Sequence, residues 1–276
     1  MPAPAYLATP LGDIGLWGIN DDRDERAGNV DVTDLLSFGS DDAFLSGLTE
    51  EHSGSVSGTA TGFRLSNEDR YSSDPVTAIA EWVQEMMSLM DGGQGTGYEL
   101  SHGVREYSKT VAIEDFSWTR DAGAKYEVSW NASFKIGDVT MASGAGTAPG
   151  EVNPSSSWAL DGIPLQNMEQ IQEQKQVKLN TTKMMFAESA EENSITQESG
   201  ATRRINITGS HTGTRSERNS FDSAMRALIG KDKIVDYESP FPGHTLSVAV
   251  DNYDSNLEGG SETKTDYTLN LVEGTS

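Results

Sequence analysis

Val-Ser-Gly-Thr-Ala-Thr-Gly, residues 56–62, recurs as Ile-Thr-Gly-Ser-His-Thr-Gly at residues 207–213. Both copies follow one pattern: a β-branched residue, a hydroxyl residue, Gly, two free positions, Thr and Gly. The flanks match as well, because Leu-Gly-Asp-Ile-Gly-Leu (residues 11–16) and Leu-Asp-Gly-Ile-Pro-Leu (residues 160–165) precede their copies at similar distances. Each copy leads into a short helix and then into a β-rich run. An internal repeat of this kind predicts that one structural unit is used twice.

The repeat divides the 276 residues into two units, each long enough to bury a core. We expect a first β unit over residues 1–142 and a second over residues 158–276. Residues 143–157 are rich in Gly, Ala, Ser and Pro and predict a linker between the units. The predicted fold class is therefore mainly β, with one short helix in each of two tandem barrel or sandwich units.

Helical spacing of apolar residues occurs once in each half. The first helix is predicted near residues 75–91, with Asp74-Pro75 at its start and Gly92-Gly93 at its end. A Met-rich stripe of this kind can bind a partner, but we interpret it as a surface that packs on a sheet. The second helix is predicted near residues 219–229, where Phe221 opens a stripe with apolar residues at i+4, i+7 and i+8.

Strands account for most of the remaining pattern. Residues 126–136 alternate apolar and polar side chains, which predicts a strand with one buried and one solvated face. Residues 30–36 and 43–48 fit two short strands or a strand and a turn. Residues 63–74 are polar and predict a long loop or an edge strand, and residues 181–200 are polar and predict an extended loop. Further strands are predicted at residues 6–16, 104–113, 116–118, 203–209, 234–237, 245–250 and 267–271, with a turn at residues 240–243.

Two polar segments do not show a clear period. Residues 20–25 predict a solvated loop, and a calcium-binding loop is disfavoured because Arg26 and Ala27 stand where a ligand and a Gly are needed. Residues 168–179 are rich in Gln and Glu, and we interpret them as an exposed arm or an edge strand. This arm is a candidate for a segment that reaches a neighbouring subunit.

Composition limits the possible partners. The chain has no cysteine, which excludes disulfides and thiolate chemistry. Acidic residues number 43 against 20 basic ones, for a net charge of −23, and they are spread along both halves. Such a surface disfavours binding to nucleic acid or anionic membranes. It is typical of a protein adapted to molar salt, in which charge repulsion is screened; an ordinary acidic protein is the alternative.

Targeting and membrane signals are not found. No run approaches the 18 to 20 apolar residues needed to cross a bilayer, so membrane insertion is not expected. The N-terminal residues lack a basic segment followed by an apolar one, which disfavours Sec export. We expect synthesis in the cytoplasm, with release inside a particle as one route out of the cell.

Motifs for chemistry are also not found. The four histidines, His52, His102, His211 and His244, do not stand at metal-ligand spacing, and no nucleophile or phosphate-loop motif occurs. The Gly-rich residues 92–97 follow a helix, whereas phosphate-binding loops precede one. We therefore predict no catalytic, cofactor-binding or metal residues, and no cofactor.

The order of elements resembles a known family. An apolar strand with Gly-x-x-Thr-Gly, one short helix and antiparallel strands closed by an alternating strand is similar to the tube-type β-barrel of tail-tube, distal-tail and baseplate-hub proteins of tailed viruses. Val-Ala-Ile-Glu-Asp-Phe-Ser-Trp at residues 111–118, followed by Ala122-Gly123 and Tyr126-Glu127-Val128, resembles the strand pair of these proteins. The resemblance covers most of each half.

The resemblance implies an architectural role in the tail of a virus, with an archaeal halophile as the expected host. Copies would form a ring around a channel through which DNA passes without specific binding, and acidic lining residues would repel the phosphates. The implied oligomer is a trimer that uses both units of each chain, or a hexamer that uses one. Two units favour a distal-tail, adaptor or hub position, with tube and hub or tip proteins as partners.

The competing interpretation is a halophilic surface or secreted β-sandwich module that recognises sugar or protein. Trp17, Trp118 and Trp158 are its candidate stacking residues. Trp82 and Trp130 fall on predicted core faces and are expected to be buried.

Overall fold

A computed structural model describes residues 5–9, 12–33, 43–90, 97–102, 107–140, 157–182, 194–230, 233–257 and 263–273. The first half contains β1 (Ala5–Thr9), β2 (Gly12–Leu16), β3 (Ile19–Thr33), β4 (Ala43–Thr61), α1 (Gly62–Leu65), α2 (Pro75–Ser88), β5 (Tyr98–His102), β6 (Tyr107–Asp121), β7 (Glu127–Ile136) and β8 (Asp138–Thr140). The second half contains β9 (Ala159–Leu160), β10 (Ile163–Pro164), β11 (Met168–Thr182), β12 (Ser194–Thr212), α3 (Arg215–Ala227), β13 (Ile234–Ser239), β14 (His244–Asn256) and β15 (Lys264–Glu273).

The fold is mainly β, which confirms the predicted fold class. All fifteen strands in the described part of the chain belong to one sheet, and each pairing between them is antiparallel except that of β8 with β12. The sheet is not closed into a barrel. Of the barrel or sandwich form expected for the units, the described strands do not take the closed barrel: the edge strands β3, β2 and β10 do not pair with one another.

Strand order is the same in the two halves. The first half has the order β3-β4-β7-β6-β5-β1-β2, and the second has β11-β12-β15-β14-β13-β9-β10. In both halves the longer helix, α2 or α3, comes after the strand that carries the repeated heptad. The predicted boundary residues of the two units remain a prediction.

The β-bulges of the two halves also correspond, so each residue of a strand in one half can be matched to a residue of the equivalent strand in the other half. A β-bulge interrupts the hydrogen-bond ladder at one position of a strand, and that position is a specific feature of the fold. Each bulge in β3 has a counterpart in β11, and the bulge in β6 has one in β14. The corresponding pairs are Ile19/Asp21 and Met168/Gln170, Gly28/Val30 and Val177/Leu179, and Ile113/Asp115 and Val250/Asn252.

Helix α2 forms as its sequence signals require and covers the apolar side of the first unit. Asp74 accepts a hydrogen bond from the Thr77 backbone N–H, and Pro75 occupies the first turn. Trp82 is fully buried, with its ring edge-on to Phe116 at 6.0 Å and to Trp130 at 5.7 Å. Aromatic pairs in this geometry add to the area that they bury. Helix α2 therefore packs on one face of the first unit's sheet and does not cover the opposite face.

Two segments expected to lie outside the core sheet are strands. Residues 20–25 belong to β3 rather than to a solvated loop, because their backbone pairs with β4 although the side chains are polar. Residues 168–179 belong to β11, which pairs on both sides, with β12 and β6. They are neither an exposed arm nor an edge strand of the whole sheet.

Several loop predictions need smaller changes. The predicted loop at residues 63–74 begins with the short helix α1, and the one at residues 181–200 overlaps the ends of β11 and β12. Residues 30–33 and 43–48 of the predicted strands are the ends of the longer β3 and β4, and residues 34–36 lie outside the described residues. Residues 92–96 of the Gly-rich run and residues 143–156 of the predicted linker lie outside the described residues.

Candidate assembly interface

The junction between the two halves is built on β6. One edge of β6 pairs with β7, and the opposite edge pairs with β5 over residues 107–111 and then with β11 over residues 115–121. Strand β11 thus extends the first unit's sheet with a strand from the second unit. A second link is the parallel pairing of β8 with β12. We call the contact of β6 with β11 the inter-unit junction.

An aromatic side chain anchors the inter-unit junction. Phe241 lies in the turn between β13 and β14, next to a cis peptide bond with Pro242, and is almost fully buried. Its ring is edge-on to Trp118 at 5.3 Å between centroids, and the Arg120 guanidinium lies 4.3 Å from its centroid. Aromatic and cation–π contacts of this kind each favour association. The predicted turn at residues 240–243 is therefore a packing element of the junction.

Side-chain amides bridge the junction on both faces. Gln170 donates to the Asp121 carboxylate at 2.8 Å, and Gln174 donates to the Asp115 carboxylate at 2.5 Å. Burial raises the pKa of Asp115, and the hydrogen bond from Gln174 opposes that shift. On the helix side, Gln84 of α2 donates to the Pro242 carbonyl at 2.5 Å. The Gln-rich composition of β11 thus serves contacts to the other unit.

Two charged side chains of β11 are buried beneath the junction. Lys175 is 2% exposed, and its Nζ donates to the Met87 carbonyl at 3.2 Å, near the C-terminal end of α2. A cation there interacts favourably with the helix dipole. Glu173 is fully buried, with its Oε1 atom 3.3 Å from His244 Nε2. The Glu173 carboxylate oxygens and His244 Nε2 make no hydrogen bond in the described structure, so Lys175 is the buried charge whose hydrogen bond connects β11 to α2.

Pairing through the junction makes one continuous eight-stranded surface, in the order β3-β4-β7-β6-β11-β12-β15-β14. Along each strand, apolar residues alternate with polar ones, and residues paired across strands share a face. We call the face opposite the helices the polar face. Its central residues are Asp21, Arg23, Ser55, Ser57, Thr59, Ser129, Asn131, Ser133, Asp115, Ser117, Thr119, Gln170, Gln172, Gln174, Gln176, Arg204, Asn206, Thr208, Thr268, Asn270, Val272, Asn252, Asp254 and Asn256.

Hydroxyl and amide groups dominate the polar face. Its central charged members are Asp21, Asp115, Asp254, Arg23 and Arg204. The same face continues along these strands through Asp121, Glu127, Asp266 and Lys135, so its carboxylates outnumber its basic groups. Arg23 and Asp21 neutralise each other through a contact of 2.9 Å. The polar face is therefore acidic towards the ends of its strands, and the expectation of an acidic channel lining stays a prediction.

The polar face ends in two strand edges. Among the described strands, β3 pairs with β4 alone, and residues 252–256 of β14 pair with β15 alone. By strand order and bulge position, β3 is the equivalent of β11, and β14 is the equivalent of β6. The two edges are therefore the counterparts of the two strands that meet in the inter-unit junction.

Exposed apolar side chains flank the β14 edge. Leu257, directly after β14, is 61% exposed, and Ile229 and Ile234 are each 43% exposed. Ile229 forms a bridge with Val250 on the same edge of β14 that pairs with β13. We call these three residues the apolar rim. Large apolar side chains at a strand edge indicate a contact surface.

The first unit covers the positions that correspond to the apolar rim. Met90, which follows α2 as Ile229 follows α3, is 1% exposed. Arg120, the counterpart of Leu257, is half-buried beneath Phe241 of the second unit. Two rim positions are thus exposed in the second unit although their counterparts in the first unit are buried or half-buried, and the counterpart of Leu257 is covered by the other unit.

Histidines and tryptophans do not form a chemical site in the described part of the chain. His52 contacts Asp24, His211 stacks on Phe221, and His244 faces Glu173. No group of three or more potential metal ligands occurs among the described residues. The absence of catalytic, cofactor-binding and metal residues stays a prediction. Trp82 and Trp130 are buried as expected; Trp17 and Trp118 are buried too, and Trp158 is half-buried beside Tyr237.

Comparison with known proteins does not assign a family. No protein-family model matches the chain, and a search of curated proteins finds no match. Within the residues that the structure describes, no helix has both the length and the apolar character needed to cross a membrane.

Proposed function

We propose that this protein is a non-enzymatic structural protein of a virus tail, in a distal-tail, adaptor or baseplate-hub position. Its copies form a ring that extends the DNA-conducting channel and joins the tube to tip proteins. The observation that carries this proposal is the polar face: eight strands wide, covered by helices on the opposite side, and open at both edges. A surface of this form has the properties expected of one segment of a channel wall.

The inter-unit junction supports ring formation. It joins different surfaces, the outer edge of β11 and the edge of β6, and is therefore a head-to-tail contact. Repetition of a head-to-tail contact generates a ring if the rotation closes and a filament if it does not. Because each chain has two equivalent units, three chains supply the six-fold arrangement that the family resemblance implies. A hexamer that uses one unit of each chain in the ring is the other arrangement.

The chemistry of the polar face suits a channel through which DNA slides. Affinity for DNA comes chiefly from Lys and Arg on phosphates, with release of counterions. The polar face has two such residues among its central positions, Arg23 and Arg204, and Arg23 already contacts Asp21. Hydroxyl and amide groups keep the wall hydrated, and the carboxylates Asp121, Glu127 and Asp266 near the ends of its strands repel phosphates. DNA is therefore a passing cargo in this proposal.

The alternative is a halophilic surface or secreted module that binds sugar or protein. Sugar recognition uses exposed aromatic rings for stacking. Four of the tryptophans are buried, and Trp158 is half-buried against the ring of Tyr237. Their positions favour the tail role over this module.

The first test is negative-stain microscopy with light-scattering mass on the purified protein in about 3 M salt, at which repulsion between carboxylates is screened. We expect rings with an open centre, built from three or six chains, and fewer rings at low salt. The mass decides between trimer and hexamer. A protein that is monomeric at every concentration contradicts the proposal and favours the binding module.

A further inference from the structure

We propose that strand β3 of one copy adds to the open edge of β14 in the next copy, in the register that β11 adopts on β6. This inference rests on the proposed ring and identifies its contact between chains. The partner is a second copy of the same chain. The contact is formed by main-chain hydrogen bonds between strand edges, a common mode of protein recognition.

The equivalence of the strands carries the argument. Strand β3 has its two bulges where β11 has them, and β14 has its bulge where β6 has it. An edge with the same bulges has its N–H and C=O groups at the same positions, because bulges set where the ladder is interrupted. The β14 edge thus presents to a neighbour the same pattern that β6 presents to β11.

The register follows residue by residue. In the inter-unit junction, Gln172 pairs with Thr119 and Gln176 pairs with Asp115. When the pairing of β11 with β6 is applied to the equivalent strands β3 and β14, Arg23 of one copy pairs with Asn256 of the next. The remaining transferred pairs are Asp22 with Leu257, Asp24 with Ser255, Glu25 with Asp254, Arg26 with Tyr253 and Ala27 with Asn252.

The apolar rim indicates that the β14 edge is covered in the assembled protein. Leu257 and Ile229 lie at opposite ends of the open segment and are largely exposed, whereas their counterparts in the first unit are covered. A long edge with exposed apolar residues invites pairing with another strand. Strand β3 has the length to cover the segment, since it extends from Ile19 to Thr33.

Charges on the polar face act in both directions, because the register also sets Glu25 directly opposite Asp254, a like-charge pair that opposes the contact until salt screens it. In the transferred register Arg23 lies opposite Asn256 and diagonal to Asp254. Diagonal neighbours on one face are within reach of long side chains and interact when their charges are opposite.

The test uses engineered cysteines, which the native chain lacks. Paired residues of antiparallel strands have Cα atoms about 4.5–5.5 Å apart, within the range of a disulfide. The test variant is Arg23→Cys with Asn256→Cys, both at exposed positions. The matched control is Thr119→Cys with Gln172→Cys, the same pair within one chain. A variant with Arg23→Cys and Asn252→Cys is out of register by about 13 Å and controls for random oxidation.

Each variant is oxidised in about 3 M salt, separated on a non-reducing gel and imaged for rings. We expect covalent multimers for the test variant, an internally crosslinked monomer for the control and little crosslinking for the out-of-register variant. The single Arg23→Cys and Asn256→Cys variants should give no multimer larger than a dimer.

The outcomes separate this inference from the proposed function. Rings without covalent multimers of the test variant overturn the β3–β14 contact and leave the ring intact. Covalent multimers that assemble into open filaments support the contact and contradict the ring. If the control crosslinks but neither the native protein nor the test variant forms rings or covalent multimers, both are overturned. If the native protein forms rings and the test variant forms neither rings nor multimers, loss of rings in a single variant supports the contact, and rings in both single variants overturn it.

Discussion

At the residue scale, His211 of the repeated heptad is a polar group in an apolar setting. It is 7% exposed, and its ring stacks on Phe221 with a centroid distance of 4.4 Å. Its Nδ1 atom has no hydrogen-bond partner within the described structure. Burial lowers the pKa of His211 below its ordinary value, an effect that Glu217 partly opposes. The neutral ring is therefore the form that the fold prefers.

This shift predicts a dependence of stability on pH. Between the lowered folded pKa and the unfolded value of about 6.5, the unfolded state binds more protons, so the free energy of unfolding falls as pH falls. Above about pH 6.5 the contribution is fully present. We expect His211→Phe to remove this component while it keeps the stacked ring. Urea unfolding at pH 7.5 and 5.5, at one salt concentration, measures the difference.

The native protein should lose more stability than His211→Phe between these two pH values. Equal losses would show that His211 does not titrate differently in the two states. The comparison subtracts the titration of the carboxylates, because both proteins share them.

At the scale of elements, α3 begins with a capping box. Thr214 accepts from the Glu217 backbone N–H at 3.3 Å, and the Glu217 carboxylate accepts from the Thr214 backbone N–H at 2.7 Å. These contacts satisfy donors that no residue within the helix can pair. They lower the pKa of Glu217, which stabilises its ionised form at neutral pH.

Removal of the cap should destabilise the protein without a change of fold. We expect Thr214→Ala to lower the free energy of unfolding by about 1 kcal/mol. Ser220→Ala, at an exposed position within α3, is the matched control and should be neutral or slightly stabilising, because Ala is the better helix former. Chemical denaturation of both variants gives the two values. A loss of equal size in both variants would exclude the cap as the cause.

The helices were more accessible to sequence reasoning than the strands. Asp74-Pro75 marks the start of α2, and the predicted helix near residues 75–91 is found at Pro75–Ser88. The helix predicted near residues 219–229 is found at Arg215–Ala227; its first turn is polar, so the apolar stripe did not reveal it. Strand β11 lacked a clear period because Glu173 and Lys175 occupy inward positions between apolar residues. Their partners lie on other elements, which local periodicity does not contain.

At the scale of the whole molecule, the repeated heptad predicted two similar halves, and their strand orders agree. The inter-unit junction was not predictable, because its contacts join residues 115–121 to residues 170–176 across the interface of two units. The polar face was visible in part, through the alternation in residues 126–136. The width of the polar face depends on the inter-unit junction, so it could be seen only in the structure. Pairing between strands that are far apart in the sequence depends on both strands, whereas the alternation of apolar and polar residues describes one strand alone.

The net charge of −23 leads to a prediction about the whole chain. Repulsion among carboxylates destabilises the compact state and weakens as the screening length falls to about 3 Å near 1 M salt. We therefore expect the unfolding temperature in sodium chloride to rise steeply up to about 1 M and then more gently, as screening saturates and the effect of salt on apolar burial remains. Calorimetry from 0.1 to 3 M salt measures the curve.

The double variant Asp236→Asn, Glu238→Gln tests whether repulsion between carboxylates causes the steep rise of the unfolding temperature with salt. Both residues are exposed on β13, opposite the uncharged Ser247 and Thr245. Their neutralisation removes repulsion and should raise stability in 0.1 M salt, by up to about 0.5 kcal/mol as for other surface changes. In 3 M salt the variant and the native protein should be equally stable, because the repulsion is already screened. A gain of the same size at both concentrations would show that charge repulsion is not the cause, and the salt response would then arise from apolar burial alone.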